Sequence, residues 1–236
     1  MSAVFKREFK TFFTSPIAYF ILAIIFFFAG YDFVLANVQY GMANLSYVFS
    51  RLFTVVLLII LPILSMRLFS EEKRQKTDQA LLTAPVSLTG IAMGKFLAAL
   101  SVFAVSISIT LVFAIIIATQ VTPDWMVIIG NFVGMLLLGG TILSVGLLIS
   151  SLTESQFIAA LGTFAVSFGL FSIDGATSLF GSGKVVTAIV DFLSISQRYN
   201  DFTIGVLHYD DILFFLTVQA LFIFLTVRVL DSKRWS

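Results

Sequence analysis

Apolar residues run in blocks of twenty or more along this chain, with short polar intervals between them. A helix needs about 20 apolar residues to cross a bilayer. Six blocks meet that length: 16–36, 47–69, 90–118, 126–151, 156–180 and 210–230. Residues 2–14 have a different rhythm. Phe5, Phe9, Phe12 and Phe13 recur at helical spacing, while Lys6, Arg7, Glu8 and Lys10 take the other face. That pattern predicts an interfacial helix lying on a membrane surface. Ser15 is placed to cap the first span, and Pro16 suits its first position. Pro62 predicts a kink inside the second. Between the last two spans, Val185, Val186, Ile189, Val190 and Leu193 make a helical face too short to cross. The polar run 197–201 that follows predicts a turn. Residues 181–208 therefore read as a re-entrant segment on the far side of the membrane.

Composition agrees with a chain built for lipid. Hydrophobic residues are 59% and charged residues 11%, where soluble domains carry roughly 25% charged. The fold class that follows is an all-α membrane protein of six transmembrane helices in one domain, 1–236. A net charge of +1 argues against nucleic acid as a partner. The single His208 and the lack of cysteine leave no multi-histidine or thiolate metal site.

Charge distribution supplies the orientation. With a cytoplasmic N-terminus, eleven of the 14 Lys and Arg residues lie inside; Arg51, Lys184 and Arg198 are the other three. This is the positive-inside bias, and it puts both termini in the cytoplasm.

Candidate chemistry inside the spans is sparse. Asp32 and Arg51 are near enough in the first two spans to form a structural pair. Asp174 fits either an interfacial helix end or a functional intramembrane carboxylate. Gly130 and Gly134 serve internal helix packing or a dimer contact. Gly181-Ser182-Gly183-Lys184 looks like part of a phosphate loop, but Ser178 replaces its first glycine and Val185 its Ser or Thr. No catalytic constellation stands out, so the chain reads as no enzyme.

The one dense charge cluster lies in the interval 71–84. Glu71, Glu72, Lys73, Arg74 and Lys76 make a mixed-charge turn. Thr77 and Asp78 can cap a short helix whose apolar side is Ala80, Leu81 and Leu82, ended by Pro85. The segment fits either an amphipathic helix pressed into a soluble partner or a solvated loop.

Ser70-Glu71-Glu72-Lys73-Arg74, then Thr77, then Leu81-Leu82-Thr83-Ala84-Pro85-Val86-Ser87 and Gly94-Lys95, resembles the first cytoplasmic loop of ABC-2 type ATP-binding-cassette permeases. Ser196 to Phe202, Gly205-Val206-Leu207 and Asp211 to Phe215 look like the gliding-motility (GldF-like) and NosY-like branch. The family commonly has Gly before the loop Thr and Glu after it; Lys76 and Asp78 stand there. The resemblance implies a permease subunit in a bacterial cytoplasmic membrane, paired with a second permease copy or a paralogue. A separate ABC ATPase subunit would bind ATP and Mg, this chain holding no cofactor. The implied coupling interface is 71–84, with Glu71, Glu72, Lys73, Arg74, Lys76, Thr77, Asp78, Leu81 and Leu82, joined by Glu154 from the loop after the fourth span. The expected activity is export. A gradient-driven carrier or channel and a membrane scaffold are the competing readings.

Overall fold

Every element of the computed structural model is helical among the described residues, which are 1–42, 44–77, 86–173 and 194–234. The chain starts with α1 (Ser2–Thr14) and turns at Ser15 into α2 (Pro16–Phe33), which continues as a π-helical turn, Val34–Gln39. The next long helix is built from α3 (Ser46–Val55), a π turn (Val56–Ile60), α4 (Leu61–Ser65) and α5 (Ser70–Arg74). After it come α6 (Leu88–Ile107), α7 (Ile109–Ala118), α8 (Trp125–Leu152), α9 (Gln156–Ser172), α10 (Ile195–Thr203) and α11 (Tyr209–Arg234). Among the described residues, five helices are long and apolar enough to cross a membrane: Pro16–Gln39, Ser46–Arg74, Leu88–Ala118, Trp125–Leu152 and Tyr209–Ser232. The described part of the fifth expected span, α9, is 17 residues long. Residues 181–193 of the expected re-entrant segment, with Asp174, lie outside the described residues.

Local chemistry sets the helix starts. Ser15, Ser87, Asp124, Ser155 and Ser194 each accept a hydrogen bond from a backbone N–H in the first turn that follows, which satisfies donors the helix leaves unpaired. Pro62 has no N–H to donate, and the π turn lies directly before it. There Leu61 N–H bonds to the Val56 carbonyl, one residue further back than in an α-helix.

The polar run 197–201 differs from expectation. It is helical, within α10, rather than a turn. Ser194 caps the helix, and Ile195, Tyr199 and Phe202 supply a buried face at i, i+4 and i+7. That apolar stripe, masked in sequence by the polar residues between, decides the conformation.

The centre of the bundle is α8. Neighbours reach its backbone where it carries glycine. A Cβ on Gly134 would lie 2.8 Å from the Phe202 side chain of α10. On Gly139 it would meet Phe103 of α6 at 2.3 Å, and on Gly146 Ser65 of α4 at 2.3 Å. Gly140 faces Gln219 of α11, whose Nε2 donates to the Leu137 carbonyl at 2.9 Å. A Cβ on Gly130 would lie 2.6 Å from the Phe202 carbonyl oxygen, so the glycines at 130 and 134 both serve packing within the chain.

Gly139→Val should overpack the α6–α8 contact and cost about 1–3 kcal/mol. A Cβ on Gly169 would meet nothing within 4 Å, so Gly169→Ala is the control. Heating in detergent followed by size exclusion should show a lower midpoint for the first and no decrease for the second.

Candidate functional site: the charged layer at one end of the bundle

At the end of the bundle formed by α1, α5, the start of α6 and the end of α8, charges gather in a layer. Lys95, in the second turn of α6, is 1% exposed. Its Nζ lies 3.3 Å from Glu8 Oε1 and 3.0 Å from Glu72 Oε1. Arg7 closes the group: its Nη2 is 2.6 Å from Glu8 Oε1 and 2.8 Å from Glu72 Oε1. Two cations and two anions cancel; Lys95, Glu8 and Glu72 are largely buried, and Arg7, 52% exposed, is the edge that meets solvent. The hydrogen bond to Glu8, then the charges of Glu8 and Glu72, hold the Arg7 guanidinium above its usual value against desolvation. The group joins α1, α5 and α6 in one contact. Close approach of α1 to α6 depends on Gly94, where a Cβ would sit 2.9 Å from Val4.

A second clamp holds the turn between α1 and α2. Arg67 Nη1 donates to Ser15 Oγ at 2.7 Å, its Nε to Glu71 Oε2 at 2.7 Å, and its guanidinium lies 5.7 Å from the Phe12 ring centre. A third ties α5 to the end of α8. Ser150 Oγ accepts from Phe69 N at 2.9 Å and Ser70 N at 3.0 Å. Lys73 Nζ donates to the Ser151 carbonyl. The arrangement surrounds a cavity of about 300 Å³ between Arg7, Thr11, Arg67, Glu72 and Lys95.

The sequence-derived residues therefore separate into two groups. Glu71, Glu72 and Lys73 turn inward into these contacts, while Arg74, Lys76 and Thr77 are exposed, as is Glu154. Asp78, Leu81 and Leu82 lie outside the described residues. On α1, Phe5, Phe9 and Phe13 form a half-buried ladder: Phe5 stacks on Phe9 with ring centres 5.8 Å apart, and Phe9 meets Phe13 at 4.9 Å with the rings tilted. Phe12 is buried beneath Arg67. Glu8, expected on the polar face, is drawn inward by Lys95. At the other end of the bundle, Asp32 is 1% exposed and its Oδ2 lies 3.8 Å from Arg51 Nε. Sequence reasoning did not assign Lys95, Glu8, Arg67 and Ser150 to the site. An ionisable residue inside the apolar pattern at Lys95 was the available signal.

Lys76 occupies a backbone position that suits glycine. Its φ is 57°, in the left-handed region. Lys76 N donates to the Lys73 carbonyl at 3.0 Å and Thr77 N to the Glu72 carbonyl at 2.9 Å. These bonds close α5 in the manner that favours glycine at this position.

Lys76→Gly should relieve the strained backbone and stabilise by about 0.5–1 kcal/mol, read as a higher melting midpoint. Lys95→Met should destabilise by about 3 kcal/mol because it leaves Glu8 and Glu72 facing Arg7 alone. Lys95→Met with Glu72→Met should recover part of that loss. Strict additivity of the two in a double-mutant cycle would mean the groups do not interact.

No curated protein matches the chain. Residues 5–172 match the family described as ABC-2 family transporter protein. The match spans more than half of the chain, and the apolar helices within it make this a multi-pass membrane protein. Permeases of this kind generally work with an ABC ATPase partner. By this match and these helices, the chain belongs to the ABC-2 family of transporter proteins and is a membrane permease of an ABC transporter.

Proposed function

We propose that this permease is driven by a separate ABC ATPase subunit that docks on the charged end of the bundle and exports its substrate from a bacterial cytoplasm. The observation that carries the reading is the linkage of α5, and of Arg67 just before it, to the elements around them. Lys73 and Ser70 connect it to the end of α8, Glu72 to α1 and α6, and Arg67 to the turn at Ser15. A push on the exposed Arg74–Thr77 edge is delivered to all of them as one body. Rigid elements joined by hydrogen bonds and ion pairs are the physical means of such coupling.

In this reading Arg74, Lys76, Thr77, Asp78, Leu81, Leu82 and Glu154 meet the ATPase, and Glu71, Glu72 and Lys73 carry the force inward. ATP and Mg are bound by the partner. Two permeases, identical or paralogous, share the pair of ATPase subunits. The positive-inside bias puts the charged end in the cytoplasm, where ATP is available. The similarity of 196–215 to the GldF-like and NosY-like branch supports a place there.

Leu81→Asp with Leu82→Asp should abolish stimulation of a co-purified ATPase by the permease while the chain still inserts. The permease alone should neither bind nor hydrolyse ATP. Unchanged coupling in the double variant would remove the lever. Flux through liposomes holding this polypeptide alone, sensitive to Asp32→Asn, would favour a gradient-driven carrier instead.

A further inference from the structure

The long helix Ser46–Arg74 is broken at a place where its own sequence supplies no cause. α4 ends at Ser65 and α5 starts at Ser70, with Phe69 between them at φ −126°. Residues 66–74 are Met, Arg, Leu, Phe, Ser, Glu, Glu, Lys and Arg, with neither glycine nor proline. Such residues continue a helix readily. Pro62 acts on the turn before it, where the π turn takes up its effect. The cause of the break therefore lies in a side chain that enters the ladder from elsewhere in the fold.

That side chain is Ser150 of α8. A continuous helix would bond Phe69 N to the Ser65 carbonyl and Ser70 N to the Met66 carbonyl. Instead both N–H groups donate to Ser150 Oγ, at 2.9 and 3.0 Å. Ser150 Oγ in turn donates to the Met66 carbonyl at 3.2 Å. A hydroxyl donates once and accepts twice, so Ser150 is fully occupied and stands in for a missing stretch of the ladder. Ser106, Thr141, Ser144 and Thr163 are as deeply buried, but each donates to a carbonyl of its own helix. Ser150 serves another element. One turn along α8, Ser65 packs on Gly146, where a Cβ would meet it at 2.3 Å. Thus α4 is seated directly on α8, and α5 is held to α8 by Ser150 and by Lys73 on the Ser151 carbonyl.

We infer that Ser150 is a strut that keeps the helix open at 66–69, and that this segment has a second arrangement, a continuous helix from Leu61 to Arg74. The two arrangements satisfy the same two backbone donors, one through Ser150 and the other through the Ser65 and Met66 carbonyls. Neither leaves a buried N–H unpaired, so they are close in free energy; an open break without its acceptor is not. The inference deepens the ATPase reading and rests on it for its use. With the strut in place, a push on α5 reaches α8. Without it, the same push straightens the break and is absorbed there. Ser150 is in this sense a positioning residue, acting through α5 and α8 rather than on substrate.

The chain has no cysteine, which suits it to paired spin labels. Arg74→Cys and Met126→Cys, both exposed, place labels on α5 and at the far end of α8 in the full chain in nanodiscs. Pulsed electron spin resonance should give one main distance in this background. Ser150→Ala should move the population about tenfold toward a second distance several ångström away, the effect of roughly one good hydrogen bond. Ser144→Ala makes the same change on a buried hydroxyl of the same helix that is bound to its own Thr141 carbonyl, and should leave the distance as it was. Ser150→Thr and Ser150→Val share one shape and differ in the hydroxyl, so a shift in Val and not in Thr separates hydrogen bonding from packing. That pair also decides the matter if Ser150→Ala does not insert. In the unlabelled complex with the ATPase, Ser150→Ala should lose most of the permease's stimulation while Ser150→Thr keeps it. The strut is overturned if Ser150→Ala and Ser150→Val keep the natural distance, if Thr and Val shift alike, or if Ser144→Ala shifts as far. Full stimulation by a Ser150→Ala chain whose distance has shifted would overturn its part in coupling. A natural permease that gives no stimulation at all, with the Ser150→Ala distance still shifted, would overturn the ATPase reading and leave the two arrangements standing.

Discussion

Inside a bilayer, helices gain nothing by hiding apolar surface from one another, because the lipid is as apolar as they are. Association must come from close contact and from hydrogen bonds. In this protein both requirements meet on α8. Gly134, Gly139 and Gly146 remove the side chains that would hold α10, α6 and α4 away. Gln219 adds a hydrogen bond from α11 to the α8 backbone beside Gly140. The spans Trp125–Leu152 and Ser46–Arg74 are each 67% buried, against 17% for Tyr209–Ser232, and it is the glycines of α8 that admit α4, α6, α10 and α11. The rest of the bundle is positioned by what α8 allows to approach it.

That helix has two chemically different ends. One carries ionised groups that are expensive to bury and are tolerated because they neutralise one another. Arg7 and Lys95 balance Glu8 and Glu72, and removal of any one would expose the others to an uncompensated environment. Such a group resists being pulled apart, which makes α1, α5 and the start of α6 move together. The other end holds a cavity whose described lining is hydroxyl, amide and aromatic side chains with Ile204. Between them α8 is apolar but for small hydroxyl residues such as Thr141 and Ser144, which satisfy themselves on its own backbone. Motion imposed at the charged end thus has a stiff element along which to travel, with no ionic group inside to trap it.

The first helix, α1, is fastened to the bundle along two faces. Phe5, Phe9 and Phe13 form a ladder on one side of α1, half-buried against the core. Phe12, Arg7 and Glu8 fasten the same helix to the bundle. A helix held by both packing and ion pairs resists tilting, so the Ser15 turn held by Arg67 becomes a fixed point between α1 and α2.

The apolar blocks determined by themselves that this is an all-helical membrane chain, because backbone groups in lipid must be satisfied within each segment. Ser15-Pro16 and Asp124 marked helix starts because capping is local chemistry. The charged interval beginning at Glu71 was legible as the exceptional segment by contrast with its surroundings. Three things were decided only by tertiary structure. Glu72 and Lys73 face inward because Lys95 and the end of α8 are there to receive them, partners 23 and 78 residues away. The run at 197–201 is helical because Tyr199 and Phe202 find a glycine-lined seat on α8. The cavity at Ser50 and Asn200 exists only where α3 and α10 meet. Each depends on a contact across the chain, and neither periodicity nor propensity encodes which distant surface a side chain will meet.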